Sequence, residues 1–227
     1  MSARPEIVQR YLQGVLPDGP GEGRVVRITQ SGEMTLKPGE APRRFEATEE
    51  LRTDRVAFAW RAAFPIFGPV SLRVLDRYDA GEALLEVRAL GLPLQRRRGA
   101  ELARGEAIRY LAEIAWAPQA ILANSELSFS ELDDGWVKLE TSVGGERVAV
   151  RLLIDEAGKI VRTIAERPRA EAGNAVTRWI GEYAEYRAFG NVLVPTRAEV
   201  SWELQDGPFT YWRAAITSVK LCDRAAA

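Results

Sequence analysis

Arg109, Glu113 and Trp116 are the residues of this chain whose types and spacing could do chemistry. An arginine four residues before a glutamate on a helix can hold it in an ion pair. In an enclosed site the same pair can orient a polar group while the carboxyl moves a proton. Trp116 falls on the same side and offers a flat apolar surface on which a guanidinium can stack. Two readings stand open. In one, Glu106, Arg109 and Glu113 form a solvated, salt-bridged helix face. In the other, the tryptophan marks a polar spot inside an apolar cavity.

Other chemistry is narrowed by what is missing. The chain has 227 residues and no histidine, so serine–histidine triads, cysteine–histidine dyads and histidine zinc sites are excluded. Its single cysteine, Cys222, allows no internal disulfide and no thiolate cluster, and reads as a small apolar residue closing the last strand. Asp76 and Asp79 flank Tyr78, and Asp133 and Asp134 precede a glycine; all four read as turn residues. The glycine-rich stretch at 19–23 has no Lys, Ser or Thr to hold a phosphate. No catalytic set, metal site or cofactor is therefore assigned. Arg96–Arg98 with Arg43 and Arg44 reads as a solvated sheet edge, and a net charge of −1 gives no expectation of nucleic acid. No apolar run is long enough to span a bilayer, and the opening lacks signal-peptide order, so a cytoplasmic location is expected. The tail from Arg224 onward reads as disordered.

The elements that must position these residues follow from hydrophobic period. Ile7, Val8, Tyr11, Leu12, Val15 and Leu16 recur at helical spacing, predicting a short helix within residues 1–16. Residues 105–122 predict a central helical segment, with Pro118 starting a second short turn. The rest alternates with period two between Asp-Gly, Gly-Gly and Gly-Asn turns. Strands are expected at 23–30, 33–37, 45–51, 56–64, 70–78, 82–90, 127–132, 136–143, 146–154, 159–166, 179–189, 192–204 and 209–221. A hairpin turn is expected at Ser31-Gly32 and an irregular loop at 167–174. The sum is a mainly β chain, read as a single domain over 1–227. It is a curved antiparallel, half-barrel-like sheet of roughly a dozen strands packed around the central helix.

The segment RYLAEIAWAP at 109–118 resembles a bacterial family of unknown function, DUF6544 (also written as the DUF6920 type). The Arg10-Tyr11-Leu12 opening, Phe58-x-Trp60-x-Ala62, Asp76-x-Tyr78-x-x-Gly81, Arg167-Pro168, Trp179, Pro195 and Trp202 fit in order over nearly the whole chain. The strand count and internal helix are also similar to lipoprotein-carrier half-barrels, which implies that Arg109 and Glu113 point into the concave side.

The leading functional expectation is a non-enzymatic binder of an apolar or amphipathic small molecule, such as a lipid. Arg109, Glu113, Arg167, Tyr110, Trp60, Trp116 and Trp202 are its expected ligand-facing residues, and Phe64, Trp136 and Tyr211 are further candidates for the lining. A cofactor-independent enzyme using Arg109 and Glu113 is one alternative. A protein-interaction module that offers a sheet edge, or the N-terminal helix with Ile7, Tyr11 and Val15 exposed, is another. Oligomeric state is left open.

Overall fold

The computed structural model describes residues 4–224; Met1–Ala3 and the last part of the expected tail, Ala225–Ala227, lie outside the described residues. Thirteen strands form one antiparallel sheet: β1 (Val25–Met34), β2 (Arg43–Arg52), β3 (Ala57–Phe67), β4 (Val70–Asp79), β5 (Glu82–Ala89), β6 (Leu92–Arg97), β7 (Ser128–Glu131), β8 (Trp136–Val143), β9 (Glu146–Ile154), β10 (Ile160–Arg169), β11 (Ala175–Phe189), β12 (Val192–Leu204) and β13 (Gly207–Cys222). Across the sheet the order is β6-β5-β4-β3-β2-β1-β13-β12-β11-β10-β9-β8-β7. Two meanders are thus stitched along β1 and β13, where Val25 faces Cys222 and Met34 faces Trp212.

The chain passes from one sheet edge, β6, to the other, β7, through the helices α2 (Ala100–Ala112) and α3 (Gln119–Ala123), joined by a 3-10 turn at Glu113–Trp116. α2 touches β3, β4 and β5 on one side and β8, β9 and β10 on the other, so it lies within the concave face of the curled sheet. Because it meets sheet on both sides, it is buried nearly all round. Ala103, Ala107, Ile108, Leu111 and Ala112 are buried with it.

The first helix, α1 (Glu6–Val15), packs on β12. Its five buried apolar side chains (Ile7, Val8, Tyr11, Leu12, Val15) contribute on the order of 1.5–3 kcal/mol each. Tyr11 and Val15 are fully buried, which corrects the expectation of an exposed stripe for a partner: the chain's own sheet covers it. The Arg4 side chain reaches on to α3 and donates to the carbonyls of Ile121 at 2.9 Å and Leu122 at 3.1 Å, groups a helix end leaves unpaired.

Three local expectations are corrected. Ser31-Gly32 is no turn, since β1 runs straight through it. A Cβ at Gly32 would meet the Arg213 carbonyl oxygen at 2.1 Å and the Phe45 ring at 2.8 Å; glycine is required by close approach. Gly32→Ala should therefore part β1 from β13 or push Phe45 aside, costing about 1–3 kcal/mol in urea unfolding. The central helix begins at Ala100, with Gly105 inside it rather than at its start. The 167–174 segment is strand through Arg169, followed by a short 3-10 turn and Gly173 in the left-handed conformation.

Candidate functional site

Inward alternation places two carboxylates among apolar neighbours. On β2 the inward phase is Phe45, Ala47, Glu49, Leu51, and on β4 it is Leu72, Val74, Asp76, Tyr78. Register aligns Glu49 with Trp60 on β3, and Trp60 with Asp76, in one row across three strands. Gln30 on β1 locks the row. Its amide donates to Glu49 Oε2 at 2.7 Å and accepts from Trp60 Nε1 at 3.0 Å.

α2 lays Arg109 over this row. Its Nη2 donates to Glu49 Oε1 at 2.9 Å, its Nη1 to Asp76 Oδ2 at 2.8 Å, and its Nε to Glu113 Oε1 at 2.7 Å. The guanidinium also sits over the rings of Phe58 and Trp60, at 4.7 and 5.3 Å from their centroids. Glu106 does not pair along the helix with Arg109. It accepts from Arg167 Nη2 at 3.0 Å, and Arg167 lies over Trp179 at 5.2 Å. Gly105 makes this approach possible, since a Cβ there would come within 3.3 Å of Arg167 Nε.

The cluster sets four carboxyl groups (Glu49, Asp76, Glu106, Glu113) against two guanidiniums (Arg109, Arg167), all largely shielded from water. Full ionisation would leave two uncompensated negative charges in a low-dielectric place. Held protons resolve this. Burial pushes Asp76 up to about 8; Glu106 adds to the rise, and Arg109 and Arg167 only partly oppose it. Burial likewise lifts Glu113 well above the usual carboxyl range, with Glu49 adding to it and Arg109 opposing. Burial works against the charge on Arg109, but Glu113, Glu49, Asp76 and Glu106 outweigh it and raise its pKa further. Asp76 Oδ1, Glu106 Oε2 and Glu113 Oε2 are buried without an N–H or hydroxyl donor. A proton held on Asp76 beside Glu106, and one held on Glu113 beside Glu49, would supply the donors these atoms lack.

Beside the cluster, a cavity of about 430 Å³ opens between α2 and the concave face. Its polar wall is Asp76, Glu106, Arg109, Glu113 and Arg167, and its apolar wall includes Trp60, Phe64, Leu72, Val74, Trp116, Val200 and Trp202. Leu36, Arg43, Glu101, Arg169 and Glu171 also belong to the lining. Trp116 is fixed by its Nε1 donating to the Pro195 carbonyl at 3.1 Å and by edge contact with Tyr183 at 6.0 Å. Trp202 stacks on Tyr211 at 5.9 Å. Tyr183 donates to the Ala112 carbonyl at 2.8 Å, where α2 tightens into the 3-10 turn.

Of the sequence-predicted residues, Arg109, Glu113, Trp116, Trp60, Arg167 and Trp202 line this one cavity, as do Phe64 and Tyr211. Tyr110 does not. It points to the other side of α2, donating to the Arg52 carbonyl at 2.7 Å and accepting from Asn124 at 3.2 Å, and so pins the helix to the β2–β3 connection. Trp136 also lies outside the cavity, under Arg151 at 5.8 Å. Asp76 corrects the turn reading, being a mid-strand member of the cluster. Glu49 and Gln30 were missed altogether, although both fall in the apolar phase of their strands.

The fold has solved counterparts. A candidate outer membrane lipoprotein-sorting protein domain from Vibrio parahaemolyticus aligns with TM-score 0.54 and 11% identity, covering 95% of this chain and 91% of that one. A DUF1329 family protein from Desulfovibrio piger aligns at 0.50 and 11%, covering 96% and 94%. A LolA superfamily protein from Nitrosomonas europaea aligns at 0.48 and 13%, covering 96% and 93%. The chain therefore shares a curled, antiparallel half-barrel fold with the Vibrio and Desulfovibrio proteins. No described helix is long and apolar enough to cross a membrane. No curated protein sequence matches the chain. The model of DUF6544, a family of unknown function, matches residues 1–214, and the chain belongs to that family.

Proposed function

We propose that this protein binds an apolar or amphipathic small molecule, such as a lipid, in the cavity between α2 and the concave sheet, without transforming it. The carrying observation is the cavity itself: about 430 Å³, lined largely by tryptophan, phenylalanine, leucine and valine, with the Arg109 cluster on one wall. That is the ordinary make-up of a small-molecule pocket. The lipoprotein-sorting description of the Vibrio counterpart supports the same ligand chemistry. Arg109 works as an anchor in this reading. Each of its guanidinium nitrogens donates to a carboxyl oxygen, which holds α2 over the cavity as its lid.

Organic extraction of protein from several expression hosts, followed by native mass spectrometry, should recover a bound amphiphile. A fluorescent fatty-acyl probe should then bind the emptied protein. Leu72→Trp combined with Val200→Trp fills the lining from two strands and is expected to weaken the probe at least about tenfold while the fold persists. A clean apo mass from every host, together with probe binding indifferent to the filled cavity, rejects the reading.

A further inference from the structure

Ile66, Phe67, Leu90 and Leu92 stand in the open with 57, 81, 78 and 68% of their surfaces exposed. Single exposed apolar residues are commonplace, but these are contiguous. Phe67 pairs with Val70 at the β3–β4 tip, Leu72 with Ala89 across β4 and β5, and Ala89 with Leu92 at the β5–β6 tip. Two neighbouring hairpin tips therefore project side by side from the same end of the sheet. The β1–β2 connection ends there too, since Met34 faces Arg43 and Glu46 faces Ala63. That connection carries exposed Leu36 and Lys37, and both Leu36 and Arg43 also line the cavity.

Cations stand just behind these tips. Arg73 and Arg88, both exposed, are direct cross-strand partners. Like charges placed opposite each other destabilise a sheet unless a body of opposite charge lies on them. Arg88 and Arg96 share one acid, Glu86, at 2.6 and 3.8 Å. Arg43, Arg44 and Lys37 are exposed nearby. At about 3.3 Å per residue, Arg88 sits roughly 7 Å behind Leu90 along the strand. Interfacial segments bury their apolar groups about 5–10 Å deep, so this spacing sets the guanidinium at the level of lipid phosphates when the tip is inserted.

We infer that this end of the sheet docks on an anionic phospholipid bilayer: Ile66, Phe67, Leu90 and Leu92 enter the acyl boundary, and Arg73 and Arg88 contact the headgroups. The inference goes beyond the cavity reading and does not depend on it. Taken together with that reading, docking holds the residues shared by rim and tip against the membrane, so that an amphiphile passes between bilayer and cavity without crossing water.

The test is co-sedimentation with sucrose-loaded vesicles of phosphatidylglycerol and phosphatidylcholine in equal parts, against vesicles of phosphatidylcholine alone. The protein is expected to pellet with the anionic vesicles at low salt and to be released at high salt. F67D/L90D is expected to stay in the supernatant. R73Q/R88Q should bind at least about tenfold more weakly, as two cations at roughly 1 kcal/mol each imply. All four positions are exposed, so circular dichroism melts of both variants should match the parent, and probe binding in solution by F67D/L90D should be unchanged. Failure of the parent to pellet, or undiminished pelleting of F67D/L90D, overturns the inference. So does concentration-dependent self-association that F67D/L90D abolishes, since the tips would then be a contact between copies.

Discussion

Arg109→Met is expected to strip the chain of about 5 kcal/mol of stability at neutral pH. The substitution keeps much of the side-chain bulk but removes the charge that Glu49, Asp76 and Glu113 share at 2.7 to 2.9 Å. Glu49 is completely buried, so no water replaces the lost donor. Removing one partner of a buried ion pair costs about 3–5 kcal/mol, against a total stability of about 5–15 kcal/mol for a domain. Here one cation serves three acids, which puts the loss at the upper end. Arg109→Lys is expected to fall between, because a single ammonium cannot offer three nitrogens in a planar fork. Urea unfolding followed by tryptophan fluorescence measures both. The same principle makes a second forecast: removing the acids together with the arginine, as Glu49→Leu, Asp76→Leu, Glu113→Leu and Arg109→Met, should recover much of the loss. A single Arg109→Met change that moves stability by less than about 0.5 kcal/mol would show that the cluster is not what fastens α2 to the sheet.

The second large effect is on pH dependence. A carboxyl whose folded pKa lies above its unfolded one keeps a proton that the unfolded chain has already released. Folding then takes up protons, and stability falls as pH rises, by up to about 1.4 kcal/mol per pH unit for each such group. For Asp76 the contribution is complete below the unfolded carboxyl value of about 3.9. It is lost as pH climbs through the folded value of about 8. Glu113 acts in the same direction. Asp54 and Asp79 act oppositely, since hydrogen bonds from Arg52 and Arg55 hold them low; their contributions are lost only as pH falls into the acid range. Melting temperature measured from about pH 5 to about pH 8.5 should therefore decline, through the window in which the held protons dominate. Asp76→Asn keeps a donor toward Glu106 and carries no proton to lose. Its melting curve should be flatter and should cross the parent's, lying above it at the alkaline end. Parallel curves for the two proteins would place the titrating group elsewhere.

Much of the β architecture is written locally. β8, β9 and β12 begin and end where alternation meets Asp-Gly, Gly-Gly and Gly-Asn turns, because a half-buried strand must alternate and a tight hairpin must use such residues. β6 escaped because Leu92–Arg97 holds a proline and a run of arginines with no period two, and it is a strand only because β5 offers an edge. Gly32 and Gly105 misled for a shared reason. A glycine that makes room for a neighbouring chain looks, in sequence, like one that makes a turn. The helical half of the site was legible as Arg109, Glu113 and Trp116 at helical spacing. The strand half was legible in principle, since Glu49 and Asp76 interrupt otherwise apolar inward phases. What no single strand discloses is the cross-strand register that brings Glu49, Trp60 and Asp76 into one row.

The seam between β1 and β13 has a bearing on how the molecule comes to exist. Val25 meets Cys222 and Val26 meets Leu221 across almost the full length of the chain, whereas every other strand pair joins sequence neighbours. Hairpins within each meander can close in microseconds, but contacts of such separation are slow to form. On a ribosome the first six strands must wait with β1 unpaired on one side until Cys222 has left the exit tunnel. Until then the chain carries an open strand edge and is a substrate for chaperones or for aggregation.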